Sequence, residues 1–125
     1  MIKNDLVVLT VDDDLINLKL LKSMLTKSGN VKEVIEARNG SDAIGELKSR
    51  DDIDLILLDI IMPIMGGIDM LKVVRADDNL RQLPIIVLTT DETKKAEALE
   101  CGANGFLMKP IRNEDLLKKI ATVIL

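Results

Sequence analysis

Short apolar runs alternate with amphipathic segments along this chain, and this alternation restricts the possible folds more than any other feature. Between the runs, apolar residues recur at helical spacing, as Leu18, Leu21 and Leu25 do. Such alternation predicts a parallel sheet with helices on both faces, because parallel neighbours need right-handed crossovers. The five predicted strands, all short and mostly apolar, are Leu6–Val11, Val31–Ala37, Ile53–Leu58, Pro84–Thr89 and Gly105–Met108.

The length of 125 residues fits a single α/β domain. Five strand–helix units favour a flavodoxin-like, doubly wound (βα)5 sandwich with strand order 2-1-3-4-5. A full dinucleotide-binding fold or an eight-stranded barrel needs a longer chain. The pattern also predicts where helices begin and end, with N-caps at Asp14, Asn39 and Asp91 and C-terminal glycines at Gly29 and Gly102. A fourth, short helix is predicted within Thr93–Cys101.

Aromatic and imidazole side chains are almost missing from the composition. Phe106 is the only aromatic residue, and the sequence contains no Trp, Tyr or His. We therefore expect a core of Leu, Ile, Val, Ala and Met. Without histidine there is no Ser-His or Cys-His relay and no histidine metal ligand, which excludes most hydrolase and zinc sites. Any metal is expected to bind oxygen ligands.

The charge balance argues against nucleic acid as a partner, and the single cysteine indicates the kind of cellular compartment. Seventeen basic and 21 acidic residues give a net charge of −4, and no basic cluster exceeds two lysines. Nucleic-acid binding by this chain alone is therefore not expected. Cys101 cannot form an internal disulfide, which fits a reducing compartment. Because no apolar stretch approaches the about 18 residues of a membrane span, we predict a cytoplasmic protein without membrane contact.

Reactive side chains stand where four of the predicted strands end. They are Asp12, Asp13 and Asp14 after the first strand, Asp59 after the third, Thr89 at the end of the fourth and Lys109 after the fifth. Parallel strands end at one edge of a sheet, about 4.8 Å apart, so these side chains are expected to lie together. Clustered carboxylates facing one ammonium leave excess negative charge, which a hard cation such as Mg²⁺ would neutralise.

Magnesium commonly completes its coordination shell with phosphate oxygens, so this edge is predicted to be a phosphoryl site. In such a site one carboxylate can act as the nucleophile, while a metal, a lysine and a hydroxyl stabilise the phosphoryl charge. Asp59 is the best candidate nucleophile. It ends the most apolar strand, near the middle of the predicted sheet, where neighbours on both sides can supply partners.

Four motifs resemble those of the receiver domains of two-component response regulators. They are VDDD at 11–14, DIIMPIMGG at 59–67, LTT at 88–90 and FLMKP at 106–110. The resemblance covers the whole chain with the motifs in order and at the right separations. It implies that residues 1–125 form one receiver domain, similar to chemotaxis regulators. One departure is Gly66, where receivers often carry a polar residue, commonly Asp.

The resemblance implies a role for each residue at the strand ends. Asp59 corresponds to the phosphoacceptor, and Mg²⁺ is the implied cofactor. The implied metal ligands are Asp12, Asp13, Asp59 and the backbone carbonyl of Ile61; Thr89 and Lys109 bind the phosphoryl group, and Thr89 and Phe106 form the switch. Asp14 is left with the structural role of helix cap. A cis Lys109–Pro110 bond is expected, since the family often uses that isomer here.

By the same resemblance the chain is a signalling domain rather than an enzyme, although it assists its own phosphotransfer and autodephosphorylation. The implied donor is a phosphohistidine on a sensor histidine kinase or a histidine phosphotransfer protein. Phosphorylation of Asp59 is expected to switch the face formed by helix four, strand five and helix five. The implied target of that face is a downstream protein or output domain whose identity the sequence does not give.

Other functional classes fit the same sheet edge less well. A small magnesium-dependent aspartyl-phosphate phosphatase of the haloacid-dehalogenase type is the main alternative, but it needs a second Asp at the position of Ile61. A flavin or nucleotide module needs a first loop rich in Gly, Ser or Thr, whereas the acidic loop at 12–14 repels phosphate. A degenerate receiver would lack part of the site, which is complete in this chain.

Two contexts for the domain stay open. The chain is either a single-domain regulator or a receiver excised from a longer regulator or hybrid kinase. The apolar ending IATVIL, inside a predicted amphipathic helix that reaches Leu125, favours the second.

Overall fold

The computed structural model describes residues 5–124, so Leu125 and residues 1–4 lie outside the described part of the chain. Within these described residues, five strands alternate with five α-helices, and a short 3-10 helix at Glu92–Lys94 precedes the fourth helix. The strands are β1 Leu6–Val11, β2 Val31–Ala37, β3 Leu55–Asp59, β4 Ile85–Thr89 and β5 Gly105–Met108. The helices are α1 Leu15–Lys27, α2 Gly40–Ser49, α3 Gly67–Ala76, α4 Lys95–Glu100 and α5 Asn113–Ile124.

The sheet confirms the predicted topology. Its order is β2-β1-β3-β4-β5, and the four neighbouring pairs are all parallel. Strands β1, β3 and β4 are buried along their whole length, as expected for the centre of a sheet covered by helices on both sides. Because the strands are parallel, their carboxyl ends lie at one edge, where the polar strand ends come together.

Two strands begin later than the sequence pattern predicts. The predicted start of β3 at Ile53 is two residues early, because Asp54 pairs with β1 partly through its side chain. The Val7 N–H donates to the Asp54 carboxylate at 2.8 Å, while the Asp54 N–H donates to the Val7 carbonyl at 2.8 Å. The predicted start of β4 at Pro84 is one residue early, since proline has no N–H to give to the ladder.

Two apolar cores lie on opposite faces of the sheet. One packs the sheet against α2, α3 and α4 and includes Met70, Leu71 and Val74. The other packs it against α1 and α5 and includes Leu25 and Leu116. The buried apolar residues of the described chain are Leu, Ile, Val, Ala and Met, as the composition predicts.

The predicted helix ends are confirmed. Asp14 accepts a hydrogen bond from the Ile16 N–H, Asn39 from the Asp42 N–H, and Asp91 from the Thr93 N–H. Gly29 and Gly102 have φ of +80° and +106°, the left-handed conformation that favours glycine after a helix. The helical segment predicted within 93–101 is present but starts as the 3-10 turn.

None of the helices within residues 5–124 is both long enough and apolar enough to cross a membrane.

Candidate functional site

The carboxyl edge of the sheet brings the predicted site residues together. Asp12 follows β1, Asp59 ends β3 and Thr89 ends β4, and all three are buried, whereas Asp13 is exposed. One carboxylate oxygen from each of Asp12, Asp13 and Asp59 can be chosen so that all three lie within 4.8 Å of one another. This is the spacing at which three carboxylates can share one cation. The cluster therefore provides a set of oxygen donors suited to a hard divalent metal.

Lys109, directly after β5, supplies the positive charge at this edge. Its Nζ lies 2.8 Å from Oδ2 of Asp12 and 3.6 Å from Oδ1 of Asp59. The backbone N–H of Lys109 donates to the carbonyl of Thr89 at 2.8 Å, which ties the start of the β5–α5 loop to the end of β4. The Lys109–Pro110 peptide bond is cis, as expected.

Burial changes the acidity of the central carboxyl group. It raises the pKa of Asp59 to about 6, although the nearby Lys109 ammonium lowers it. The negative charge of Asp12 raises this pKa further, and a hydrogen bond from the backbone of Ile61 opposes the increase. Asp59 is therefore an anion held in an unfavourable environment at neutral pH, which is the state that a bound cation would relieve.

The carboxylate of Asp12 is already engaged on both oxygens. Oδ2 accepts from Lys109, and Oδ1 accepts from the backbone N–H of Asp14 at 2.9 Å. Asp14 itself points its carboxylate to the first turn of α1, which confirms its predicted role as helix cap. Asp14 thus has a sufficient structural role outside the cluster of Asp12, Asp13 and Asp59.

The β3–α3 loop lies beside the cluster and depends on one glycine. A Cβ at Gly67 would lie 2.4 Å from the carbonyl oxygen of Asp59 and 2.7 Å from Cα of Ile60. Gly66 is different, because a Cβ there would meet its nearest atom, the carbonyl oxygen of Ile60, at 3.4 Å. Of the two adjacent glycines, only Gly67 is required for the close approach of α3 to the end of β3.

The same loop contains a tight turn at Ile64 that the sequence does not predict. Ile64 has φ of +69° and an 82% exposed side chain, and the Met65 N–H donates to the Pro63 carbonyl across it at 2.8 Å. This is a γ-turn centred on a β-branched residue, an uncommon and strained arrangement. Isoleucine gives no turn signal, so sequence reasoning had nothing with which to find it. Ile61, nearer to Asp59, is also exposed, at 59%.

Thr89 and Phe106 lie on neighbouring strands. The hydroxyl of Thr89 is buried and accepts a hydrogen bond from the Asp91 N–H at 3.1 Å. Phe106 is half-buried against the core on the α4 side, and the Lys95 ammonium lies 6.0 Å from its ring centroid. Sequence reasoning identified Thr89 and Phe106 but missed Lys95, because nothing in its local sequence relates it to an aromatic ring.

Comparison with known proteins identifies the family of this chain. A family model for the response regulator receiver domain matches residues 8–121. The chain belongs to the response regulator receiver family. The chemotaxis protein CheY1 of Helicobacter pylori is 36% identical over 119 residues, which are 93% of this chain and 94% of that protein. A receiver of this kind is a signalling domain of two-component systems rather than a conventional enzyme.

Solved receiver structures share the fold closely. The chemotaxis protein CheY4 of Vibrio cholerae matches with a TM-score of 0.86 and 34% identity, covering 95% of this chain and 98% of that one. The receiver domain of the sensor histidine kinase PA1611 of Pseudomonas aeruginosa matches with a TM-score of 0.86 and 27% identity, covering 96% and 98%. That structure was determined with a magnesium ion coordinated in its active-site cleft. The receiver family binds Mg²⁺ at an acidic pocket, and this chain has an acidic cluster at Asp12, Asp13 and Asp59.

Proposed function

We propose that Asp59 accepts a phosphoryl group from a phosphohistidine on a histidine kinase or a histidine phosphotransfer protein, in a magnesium-dependent reaction. The observation that carries this proposal is the convergence of three carboxylates within 4.8 Å, with the Lys109 ammonium against two of them. A phosphoacceptor needs a nucleophile and neighbouring positive charge. The edge of this sheet provides the nucleophile, Asp59, and part of the positive charge, the Lys109 ammonium.

The donor set fits magnesium. Three carboxylates near one ammonium leave a local charge of about −2, which oxygen-liganded divalent cations neutralise well. Asp12, Asp13 and Asp59 would hold the ion, together with the backbone carbonyl of Ile61. When bound, Mg²⁺ would neutralise charge on the phosphoryl oxygens and leave coordination positions for them.

The chemical step uses the side chains of the cluster. A carboxylate oxygen of Asp59 attacks phosphorus, an O–P bond forms, and the P–N bond to the donor imidazole breaks, with the electron pair returning to the ring nitrogen. The Lys109 ammonium and the Thr89 hydroxyl donate to phosphoryl oxygens, where negative charge is concentrated in the transition state. Hydrolysis of the acyl phosphate by water then returns Asp59 to the carboxylate, which is the autodephosphorylation of the domain.

Signal output follows from the same contacts. In the resting structure the Thr89 hydroxyl is bonded to the backbone of the β4–α4 loop. If that hydroxyl turns toward a phosphoryl group on Asp59, the loop loses a hydrogen bond and Phe106 gains room to move. The switched surface is the face formed by α4, β5 and α5, and a downstream protein or output domain would bind there.

The wider setting is also part of the proposal. We place the domain in the cytoplasm, where kinase and phosphotransfer partners of this class act, without membrane or direct nucleic-acid contact. The phosphatase alternative gains no support, because the position that would carry its acid holds the exposed side chain of Ile61.

Phosphorylation with a small phosphodonor tests the proposal. The purified domain, incubated with acetyl phosphate and Mg²⁺, is expected to gain one hydroxylamine-sensitive phosphoryl group by mass spectrometry, and none when Mg²⁺ is chelated. Asp59→Asn should lose the label. Asp14→Asn is the matched control, since Asn caps a helix as well as Asp does and should keep the label. An acyl phosphate that persists in Asp59→Asn, or forms equally without metal, would overturn the assignment.

A further inference from the structure

One lysine is placed against the only aromatic ring in the chain. The Nζ of Lys95, at the start of α4, lies 6.0 Å from the ring centroid of Phe106 in β5. That distance is at the outer limit for a cation–π interaction. The Lys95 side chain is exposed and the Phe106 ring is half-buried, so the contact lies at the surface and joins α4 to β5.

Hydrogen bonds connect this contact to the phosphorylation site. The Thr89 hydroxyl accepts from the Asp91 N–H at 3.1 Å, and the Asp91 carboxylate in turn caps the 3-10 helix at the Thr93 N–H. The Lys95 N–H then donates to the Glu92 carbonyl at the end of that helix. The backbone of Lys95 is therefore linked, through one turn of 3-10 helix, to the residue whose hydroxyl the phosphoryl group would engage.

We propose that Lys95 is a positioning residue for the aromatic switch: its ammonium holds the Phe106 ring in the resting conformer and releases it on phosphorylation. The inference rests on the proposed function, because release requires the Thr89 hydroxyl to leave Asp91. Once that bond is lost, the 3-10 helix and Lys95 shift relative to β5. The ring then loses the charge that favoured its resting position, and its rotamer equilibrium changes.

The expected size of the effect follows from the exposure of the contact. A cation–π interaction at an exposed site changes a conformational ratio by about threefold. Such a bias alters how Phe106 is distributed between two rotamers without affecting whether the domain folds. The contact therefore sets the sensitivity of the switch and is separable from phosphoryl chemistry at Asp59.

The single aromatic residue makes the test direct. In protein labelled with ¹³C and ¹⁵N, every aromatic signal belongs to Phe106, and three-bond couplings from backbone N and C′ to the ring Cγ report its χ1 rotamers. Lys95→Met keeps the length of the side chain and removes its charge. We expect it to change the resting rotamer ratio about threefold relative to wild type. Lys95→Arg, which keeps the charge, should retain the wild-type ratio, as should Lys94→Met, which removes the same charge one residue away.

The same samples are then measured with acetyl phosphate and Mg²⁺. The wild-type and Lys95→Met ratios should converge, because the contact is already released in the phosphorylated state. A resting ratio that is unchanged in Lys95→Met, or changed equally in Lys94→Met, would overturn the role of Lys95. Mass spectrometry of each sample reports the acyl phosphate separately. A wild-type protein that takes no label would defeat the proposed function and the release step, whereas the resting comparison would still decide whether Lys95 holds the ring.

Discussion

The Nζ of Lys109 lies closer to Asp12 than to Asp59, at 2.8 Å against 3.6 Å. In the resting domain the ammonium is thus paired mainly with a proposed metal ligand rather than with the proposed phosphoacceptor. A cation that binds Asp12 must compete with this ion pair. A metal ion held by Asp12 would weaken this ion pair, and Lys109 would then be available to a phosphoryl group on Asp59.

Lys109→Met should therefore strengthen Mg²⁺ binding while it slows phosphorylation. Removing a competing positive charge within 4 Å of two carboxylates is expected to raise the affinity on the order of tenfold. Isothermal titration calorimetry with Mg²⁺ measures it. Lys118→Met, which removes an exposed lysine on α5, is the control and should leave the affinity unchanged. Unchanged or weaker Mg²⁺ binding in Lys109→Met would show that the ammonium does not compete for the site.

Binding of Mg²⁺ should also depend on pH, through Asp59. Burial raises the pKa of this carboxyl to about 6, so the group is mostly ionised at pH 7.5 and mostly protonated at pH 5. Only the ionised form of the Asp59 carboxyl group binds a metal, so the Mg²⁺ affinity should fall about tenfold from pH 7.5 to pH 5. The affinity falls by one factor of ten for each pH unit below the pKa. Calorimetric titrations at both pH values test this. The Asp59→Asn variant should bind Mg²⁺ weakly, and its affinity should change much less between the two pH values. An equally steep fall in affinity in that variant would show that another group titrates.

The two adjacent glycines of the β3–α3 loop should respond differently to alanine. Gly67→Ala places a Cβ 2.4 Å from the Asp59 carbonyl oxygen, so the end of β3 must shift, at a cost of about 2 kcal/mol in the free energy of unfolding. Gly66→Ala meets only ordinary contacts and should change stability by less than about 0.5 kcal/mol. Urea denaturation measures both. Equal costs at the two positions would mean that the loop relaxes freely around Gly67.

Hydrolysis of the acyl phosphate should be controlled at Ile61. Its branched apolar side chain, beside Asp59 and 59% exposed, is expected to hinder a water in line behind phosphorus, whereas an amide can orient one. Ile61→Asn should shorten the acyl-phosphate lifetime about tenfold, equivalent to about 1.4 kcal/mol of barrier.

The lifetime is read from the decay of the label after removal of the phosphodonor. Asp91→Asn is the comparison. The Asp91 carboxylate is engaged with Thr93, which makes it a helix cap rather than a free group at the site. Asparagine keeps that cap, so its lifetime should stay near the wild-type value. A lifetime in Ile61→Asn as long as that of wild type would show that this side chain does not control access of water.

The γ-turn at Ile64 should be a site of removable strain. Isoleucine at positive φ costs about 1–2 kcal/mol, and its side chain, 82% exposed, recovers little by burial. Ile64→Asn is expected to raise the free energy of unfolding by about 1 kcal/mol, because Asn tolerates a positive φ better than a β-branched residue does. Ile16→Asn is the control, since Ile16 is 69% exposed but lies in the first turn of α1. Stabilisation of the same size in both variants would attribute the gain to loss of exposed apolar surface.

Most of the fold could be predicted from the sequence, since its signals are local. The apolar period distinguishes strand from helix, and Asp14, Asn39 and Asp91 cap the elements that they precede. Parallel topology then places the strand ends at one edge, so the candidate site was predicted as a group. The predicted starts of β3 and β4 are less accurate. A strand begins where a partner offers hydrogen bonds rather than where the apolar run begins.

The tertiary structure alone decided how the site residues interact. Lys109 and Asp12 are 97 residues apart, and no local pattern shows which of the available carboxylates the ammonium prefers. The pKa of Asp59 depends on how deeply its carboxyl group is buried and on charges contributed by other strands. The sequence by itself thus determined which groups meet at the sheet edge, through periodicity and strand order. Their pairing and acidity depend on distances and burial that exist only in the packed chain, because electrostatic energies change over a few ångströms.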